Sequence, residues 1–135
     1  MPTQSCNLSR VFIVRLNSGE DILVATRAAV AENGIRHGVI LTGVGSISAY
    51  HVHVVETANL PPGNIFSRGE GAFDVLSVNG LILDGRVHAH ITFSDADKAM
   101  GGHLEEGCRV LTFAVVVLAE TDGADLTDWD RRGRP

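Results

Sequence analysis

This 135-residue chain has little of three features that define large protein classes: cysteine, positive charge and long apolar runs. It contains two cysteines, Cys6 and Cys108, too few for a disulfide framework, and we expect both to be free thiols. The net charge of −5 excludes the broad basic surface that non-specific DNA binding uses. The longest apolar run, 113–119, is too short to cross a bilayer, and residues 1–10 lack the apolar core of a signal peptide. We therefore expect a soluble, cytoplasmic protein.

The chain does contain enough apolar material for one folded domain. Hydrophobic residues make up 44% of the sequence and charged residues 20%, a composition that excludes general disorder. A chain of this length buries roughly two-thirds of its unfolded surface when it folds. We predict an N-terminal tail over 1–9, a single domain over 10–120 and a polar C-terminal tail over 121–135. The apolar excess also indicates that some surface is kept for a subunit interface.

The first half of the domain predicts strands around one helix. Residues 21–33 carry apolar side chains at helical spacing and end at Asn33-Gly34, which predicts the helix. The predicted strands of this half are 10–16, 37–42 and 46–56, with a turn over 43–46 whose glycines let two strands cross closely. The last of these strands carries His51 and His53, which we interpret as surface or interface residues.

The second half predicts strands alone. Residues 59–71 are rich in proline and glycine, which predicts one long loop. Asn79-Gly80 is typical of a two-residue hairpin turn between strands 72–78 and 81–84, and Asp84-Gly85 predicts a second turn. The β-branched run within 109–120 predicts a central strand buried on both faces.

The strongest chemical signal is the stretch 87–94. As a strand it places His88 and His90 on one face and apolar residues on the other: Val87, Ala89, Ile91 and Phe93. Their Cα atoms would lie roughly 6.5–7 Å apart, so both imidazoles can face one ion. His103 can complete the set, because Gly101-Gly102 lets a loop fold back closely.

Three neutral imidazoles with an open fourth position are typical of zinc sites that bind water or substrate. The spacing therefore predicts a metal site at His88, His90 and His103, with zinc as the first candidate. Imidazole also suits iron, nickel and copper. The alternative is a solvent-facing pair of histidines that binds no metal.

Four motifs in order resemble the plants-and-prokaryotes conserved domain family, abbreviated PPC. They are the segments 16–21, 41–47, 73–80 and 88–104, so the resemblance spans about Arg10 to Glu120. The resemblance implies an α+β fold, an α/β sandwich in which a mostly antiparallel sheet packs against one principal helix. It also implies a homotrimer.

The resemblance leaves two functions open. Plant members of the family are DNA-binding proteins that lack the histidines, so His88, His90 and His103 place this chain with the prokaryotic metal-binding members. The family resemblance also implies a DNA-binding or regulatory role. The fold is also shared with acetolactate decarboxylase, a lyase with zinc on three histidines, which implies an enzyme acting on a small oxo- or hydroxy-acid. No catalytic residue can be assigned from spacing. Nearby charges that could move a proton or hold a small anionic ligand at the metal are Glu105, Glu106, Arg68 and Arg86, and for each one taken singly a solvated surface charge is the favoured interpretation.

The C-terminal tail carries one feature that favours DNA. Arg132, Gly133 and Arg134, followed by Pro135, match the core of an AT-hook, which lies in the narrow minor groove of A·T-rich DNA. The flank is acidic and favours coincidence: Asp125, Asp128 and Asp130. Three such tails on one trimer would nevertheless gain from avidity.

Overall fold

Alternating and β-branched stretches form six strands, and one helix lies near the start of the chain. A computed structural model describes residues 1–132. In chain order the elements are β1 (Asn7–Asn17), α1 (Ile22–Glu32), β2 (His37–Val55), β3 (Asn64–Leu83), β4 (Arg86–Ser94), β5 (Ala99–Leu104) and β6 (Arg109–Asp122). Within this part of the chain no helix is long and apolar enough to cross a membrane.

All strand pairings are antiparallel, in the order β1-β6-β2-β3-β4-β5. Strand β5 also pairs with the end of β2, through the partners Val52↔Leu104 and His53↔His103. Strands β2, β3, β4 and β5 therefore form a closed ring, while β6 and β1 extend the sheet beyond β2. The predicted fold class, a mostly antiparallel sheet with one helix, is confirmed.

Helix α1 begins where its sequence signal places it. The Asp21 carboxylate accepts a hydrogen bond from the Val24 N–H at 3.0 Å and caps the helix. Its other oxygen accepts from the Gly107 N–H at 2.6 Å, which ties the helix start to the connection between β5 and β6. One face of the helix is buried in the core, through Ile22, Leu23, Thr26, Ala29 and Val30.

The inner face of β4 anchors the core beneath the predicted site. Ala89, Ile91 and Phe93 are almost completely buried, and the Phe93 ring packs on Tyr50 and Phe73 with centroids 4.9 and 5.4 Å apart. The predicted alternation along β4 is confirmed. It forces His88 and His90 onto the opposite, outer face.

Two predicted turns are wrong. Residues 43–46 lie inside an unbroken β2, where register shifts absorb the irregularity and the missing Gly45 side chain allows a close approach to Phe113 and Ala114. Asn79-Gly80 lies inside β3, where Gly80 pairs with Ala89 and a Cβ would fall 2.2 Å from the carbonyl oxygen of His88. These glycines permit strand packing rather than chain reversal, so the close strand approach predicted at 43–46 is confirmed.

The predicted turn at Asp84-Gly85 is confirmed, since both residues have positive φ, 53° and 77°, between β3 and β4. The long loop predicted over 59–71 is wrong in its second half, because β3 already begins at Asn64. The loop is short because backbone hydrogen bonds from Glu56 to Gly63 and from Thr57 to Pro62 close it.

Strand β6 lies between β1 and β2, but only one of its faces is fully buried. The inner face carries Val110, Ala114, Val116 and Leu118. Leu111 and Phe113 on the other face are 39% and 44% exposed, so the prediction of burial on both faces is wrong for the isolated chain. This outer face leaves apolar surface open to solvent.

Candidate metal centre

Four histidine side chains converge where β2, β4 and β5 meet. His103 on β5 is the register partner of His90 on β4 and of His53 on β2. His88 lies two residues before His90 on the same face. They line a cavity of about 540 Å³ whose wall also includes Val54, Val55, Ile91, Thr92 and Gly102. The pairing of β5 with two strands thus brings the three predicted residues together and adds a fourth histidine.

The three predicted rings have the spacing of ligands around one ion. Their centroids lie 5.7 Å apart for His88–His90, 4.9 Å for His88–His103 and 5.6 Å for His90–His103, with interplanar angles of 75°, 60° and 71°. A tetrahedral ion with Zn–N bonds of about 2.0–2.1 Å holds imidazole centroids about 5 Å apart. The centroid separations are close to this value, but the ligand nitrogens of these three histidines do not all lie within 4.8 Å of one another.

His53 is arranged differently from the other three histidines. Its ring is stacked on His103, with centroids 4.4 Å apart and planes inclined by 21°. Its Nδ1 lies 2.7 Å from Oε1 of Glu105, and the same oxygen lies 3.4 Å from Nδ1 of His103. Among residues 1–132, this set of His53, His103 and Glu105 has ligand atoms that all lie within 4.8 Å of one another, and the nitrogens of His88 and His90 do not belong to that close group. Two possible donor sets therefore share His103.

One nitrogen of His103 lacks a partner. Its Nδ1 is buried and accepts or donates no hydrogen bond in the described part of the chain, because the contact with Glu105 lacks hydrogen-bond geometry. A buried polar atom without a partner costs about 1–3 kcal/mol, so such atoms are rare in native proteins. The open nitrogen, together with the nitrogen-rich donor set, fits a transition metal at this position.

Burial and mutual repulsion favour the neutral form of the histidines. Desolvation lowers the pKa of His90, and the neighbouring His88 and His53 lower it further. The pKa of His103 is also lowered, first by desolvation and then by His53 and His88, against an opposing effect of Glu105. Neutral imidazole is the form that binds a metal.

His88 makes a contact that the sequence does not predict. Its Nδ1 lies 3.1 Å from Oδ2 of Asp130, in the segment after β6. The same carboxylate accepts hydrogen bonds from both terminal nitrogens of Arg86, at 3.1 and 3.0 Å. The Arg86 hydrogen bonds are the main cause that holds the pKa of Asp130 well below its usual range. The predicted C-terminal tail therefore reaches back to the site.

The two glycines before His103 allow the strands to approach, as predicted. A Cβ on Gly101 would lie 2.2 Å from the Ile91 carbonyl oxygen, and one on Gly102 would lie 2.6 Å from the His53 carbonyl oxygen. The chain folds back after Ser94, as expected, through a turn closed by a hydrogen bond from the Asp95 N–H to the Lys98 carbonyl oxygen, and residues 99–104 then form strand β5. The strand forms because glycine lets it pair closely on both edges.

The interpretation of the second histidine pair as surface residues is wrong, and an interface role for the pair stays a prediction. His53 lines the cavity, and His51 is buried, with its Nδ1 2.7 Å from the carbonyl oxygen of Glu106. The sequence does indicate that His51 and His53 lie on one face of β2, because they are two residues apart in a strand. Only the register between β2 and β5 shows that His53 meets His103.

The remaining charged candidates are dispersed. Glu106 forms an ion pair with Arg27 at the exposed surface, and Arg68 lines a separate pocket beside Tyr50. Arg132 is exposed, whereas Gly133 and Arg134 lie outside the described residues. Of these candidates, Glu105 and Arg86 alone are linked to the histidine cluster within the described part of the chain, Arg86 through Asp130.

A closed antiparallel ring with four histidines at one strand junction defines a small sheet protein with a candidate metal pocket. The chain matches the Plants and Prokaryotes Conserved (PCC) domain over residues 3–122 and belongs to that family, the one abbreviated PPC above. It spans 17–18% of the length of the curated relatives it matches, the bifunctional protein GlmU of two Synechococcus strains, at 26% and 28% identity over 83% and 90% of this chain.

Three solved structures share the fold. A metal-containing protein from Archaeoglobus fulgidus has a TM-score of 0.80 at 18% identity, covering 93% of this chain and 89% of its own. A PPC protein from Pyrococcus horikoshii has a TM-score of 0.77 at 25% identity, with coverage of 93% and 87%. A protein from Bacteroides thetaiotaomicron, provisionally named as DNA-binding, has a TM-score of 0.71 at 21% identity, with coverage of 89% and 86%.

Proposed function

We propose that this protein binds one transition-metal ion, with zinc as the first candidate, through His88, His90 and His103. The observation that carries the proposal is the arrangement of the three rings, whose centroids lie 4.9–5.7 Å apart with steep interplanar angles. The lowered pKa values of His90 and His103 support it, because burial favours the neutral imidazole, which is the form that binds a metal. The metal-containing relative from Archaeoglobus fulgidus agrees with this proposal.

In this proposal, a small anion occupies the fourth coordination position of the metal ion. Three protein ligands leave one position open on a tetrahedral ion, and a bound ion would attract and polarise a carboxylate or carbonyl group there. The cavity of about 540 Å³ leaves room for such a group. Val54 and Val55 would contact the apolar part of the ligand.

The test compares alanine variants of the pocket in a zinc titration with a chelator competitor. We expect one zinc per chain in the wild type and near-complete loss in His90→Ala, because two histidines are too few for a tight site. Thr92→Val is the matched control, since Thr92 is the next outward side chain on β4 and lines the same cavity. It should bind zinc as the wild type does.

The competing donor set gives the opposite result. His53→Ala and Glu105→Ala should keep their zinc if His88, His90 and His103 are the ligands. Loss of zinc in these two variants with retention in His90→Ala would overturn the proposal and assign the metal to the stacked set. Retention in every variant would exclude the histidine pocket.

The enzyme alternative has one specific residue in its favour. Glu105 lies at the pocket, with Oε1 2.7 Å from Nδ1 of His53, where a carboxylate can hold or accept a proton. As a zinc-dependent lyase-like enzyme, the protein would act on a small oxo- or hydroxy-acid. Turnover of such an acid that is lost in both His103→Ala and Glu105→Gln would support this alternative, and no turnover by the zinc-loaded wild type would exclude it.

We also propose that the protein is a homotrimer. The apolar outer face of the sheet supports a subunit interface: Val11, Ile13, Leu111 and Phe113 are all exposed in the single chain. In a closed cyclic trimer this face would be covered once on each of the three subunits.

A·T-rich DNA is the second candidate partner, favoured by the name of the Bacteroides structure and by the Arg-Gly-Arg sequence at 132–134. Residues 1–121 hold eight basic and twelve acidic side chains, so this part of the chain should repel DNA. Binding would then depend on the tail. The double variant Arg132→Ala, Arg134→Ala should abolish binding to an A·T-rich duplex at low salt, and equal binding by the wild type and this variant would reject the AT-hook.

A further inference from the structure

The segment after β6 carries a carboxylate to the histidine pocket from outside the family match, which ends at residue 122. Asp130 has only 14% of its side chain exposed, and it lies 42 residues from His88 in sequence. A short turn holds the carboxylate in place, through backbone hydrogen bonds from Trp129 to Leu126 and from Arg131 to Asp128. The contact with His88 is therefore built into the fold.

The contact with Asp130 determines which nitrogen of the His88 ring carries the proton. Arg86 donates two hydrogen bonds to Asp130 and keeps the carboxylate ionised, and an ionised carboxylate only accepts hydrogen bonds. Nδ1 of His88, 3.1 Å away, must therefore carry the proton. The lone pair of a neutral His88 then lies on Nε2, away from Asp130.

We infer that Asp130 is a positioning residue for the metal site, which orients His88 and selects the tautomer that presents Nε2 to the ion. This inference rests on the proposed function, because it assumes that His88 is a ligand. Carboxylates that accept a hydrogen bond from a metal-bound histidine fix its ring and raise its basicity, and their loss weakens metal binding about 10–100-fold. The C-terminal segment is thus part of the site, although it lies beyond the conserved domain.

Arg86 has a part in the same arrangement. It lies two residues before His88 on β4, so both side chains point to the outer face and meet the same carboxylate. The geometry of β4 thereby sets the distance between His88, the proposed metal ligand, and Arg86, which holds the Asp130 carboxylate.

The experiment measures zinc affinity of the full chain for the wild type, Asp130→Asn, Asp128→Asn and His90→Ala. Asp128 is the matched control, because it lies in the same turn and pairs with Arg131 rather than with His88. We expect Asp130→Asn to bind zinc 10–100-fold more weakly and Asp128→Asn to stay within twofold of the wild type. Wild-type or tighter affinity in Asp130→Asn would overturn the inference.

A second readout reports the tautomer directly in the metal-free protein. Nitrogen-15 NMR of the His88 ring should show the proton on Nδ1 in the wild type and a loss of that preference in Asp130→Ala, which removes the acceptor. An unchanged tautomer would contradict the positioning role whatever the affinity. If His90→Ala keeps wild-type affinity, the proposed metal site itself fails. If His90→Ala loses zinc and Asp130→Asn does not, this inference alone fails.

Discussion

Replacing Gly101 by alanine should lower both the stability of the fold and the affinity for zinc, because the backbone of β5 pairs closely with that of β4 at this residue. The new Cβ would lie 2.2 Å from the Ile91 carbonyl oxygen, and real Cβ contacts essentially never fall below 3.0 Å, so the two strands must part by about 0.8 Å. Overpacking of this kind costs about 1–3 kcal/mol. For a chain of this length that cost lowers Tm by about 4–11 °C.

The same displacement acts on the metal site two residues further along β5. His103 would move with the strand, and a shift of about 0.8 Å exceeds the tolerance of roughly 0.5 Å for a preorganised site. We expect zinc affinity to fall at least tenfold, on the order of what loss of a supporting contact costs. Calorimetry and a chelator-competition titration measure the two effects.

Gly85→Ala provides the control for this prediction. Gly85 has a φ of +77° and open space around it, so alanine there adds backbone strain of about 1–2 kcal/mol without a clash. Its Tm should fall while its zinc affinity stays at the wild-type value. Unchanged Tm and affinity in Gly101→Ala, or equal loss of affinity in both variants, would refute the reasoning.

Protonation, burial and exposed surface lead to four further predictions. Burial lowers the pKa of His90 and His103, so as pH falls these residues are protonated in the unfolded chain before they are protonated in the folded protein. The metal-free protein should therefore lose stability as pH falls below about 6.5. A urea midpoint that is independent of pH would contradict this prediction. Zinc affinity should fall over the same range, since protons compete for the ligand nitrogens. Burial raises the pKa of Cys108 to about 11, so one thiol, Cys6, should react with Ellman's reagent in the native protein and two after denaturation; two fast thiols in the native state would show that Cys108 is accessible. Light scattering at micromolar concentration should give three times 14.4 kDa, and a monomeric mass would reject the trimer.

Local sequence patterns predict the parts of the site that lie on one element. The alternation along β4 places His88 and His90 on one face, and the glycine pair before His103 indicates the close approach of β5. Helix α1 is equally local, because Asp21 supplies its cap. These features depend on neighbours two to four residues away, which is the range that strand and helix periods describe.

The rest of the site depends on contacts between distant segments. His53 joins the cluster through the register of β2 with β5, and Asp130 reaches His88 across 42 residues, so no short-range period encodes either contact. The wrong hairpin at Asn79-Gly80 has the same origin. Its turn signal equals that of Asp84-Gly85, and the pairing of residues 74–83 of β3 with the whole of β4 decides which of the two dipeptides reverses the chain.

Anomalous X-ray diffraction at the zinc edge, on crystals of the zinc-loaded protein, tests the central claim most directly. Three imidazole nitrogens, from His88, His90 and His103, should lie about 2.0–2.1 Å from a single peak in each chain. Nδ1 of His88 should face Asp130 rather than the ion. A peak bound by His53, His103 and Glu105, or no peak in the histidine pocket, would contradict the account.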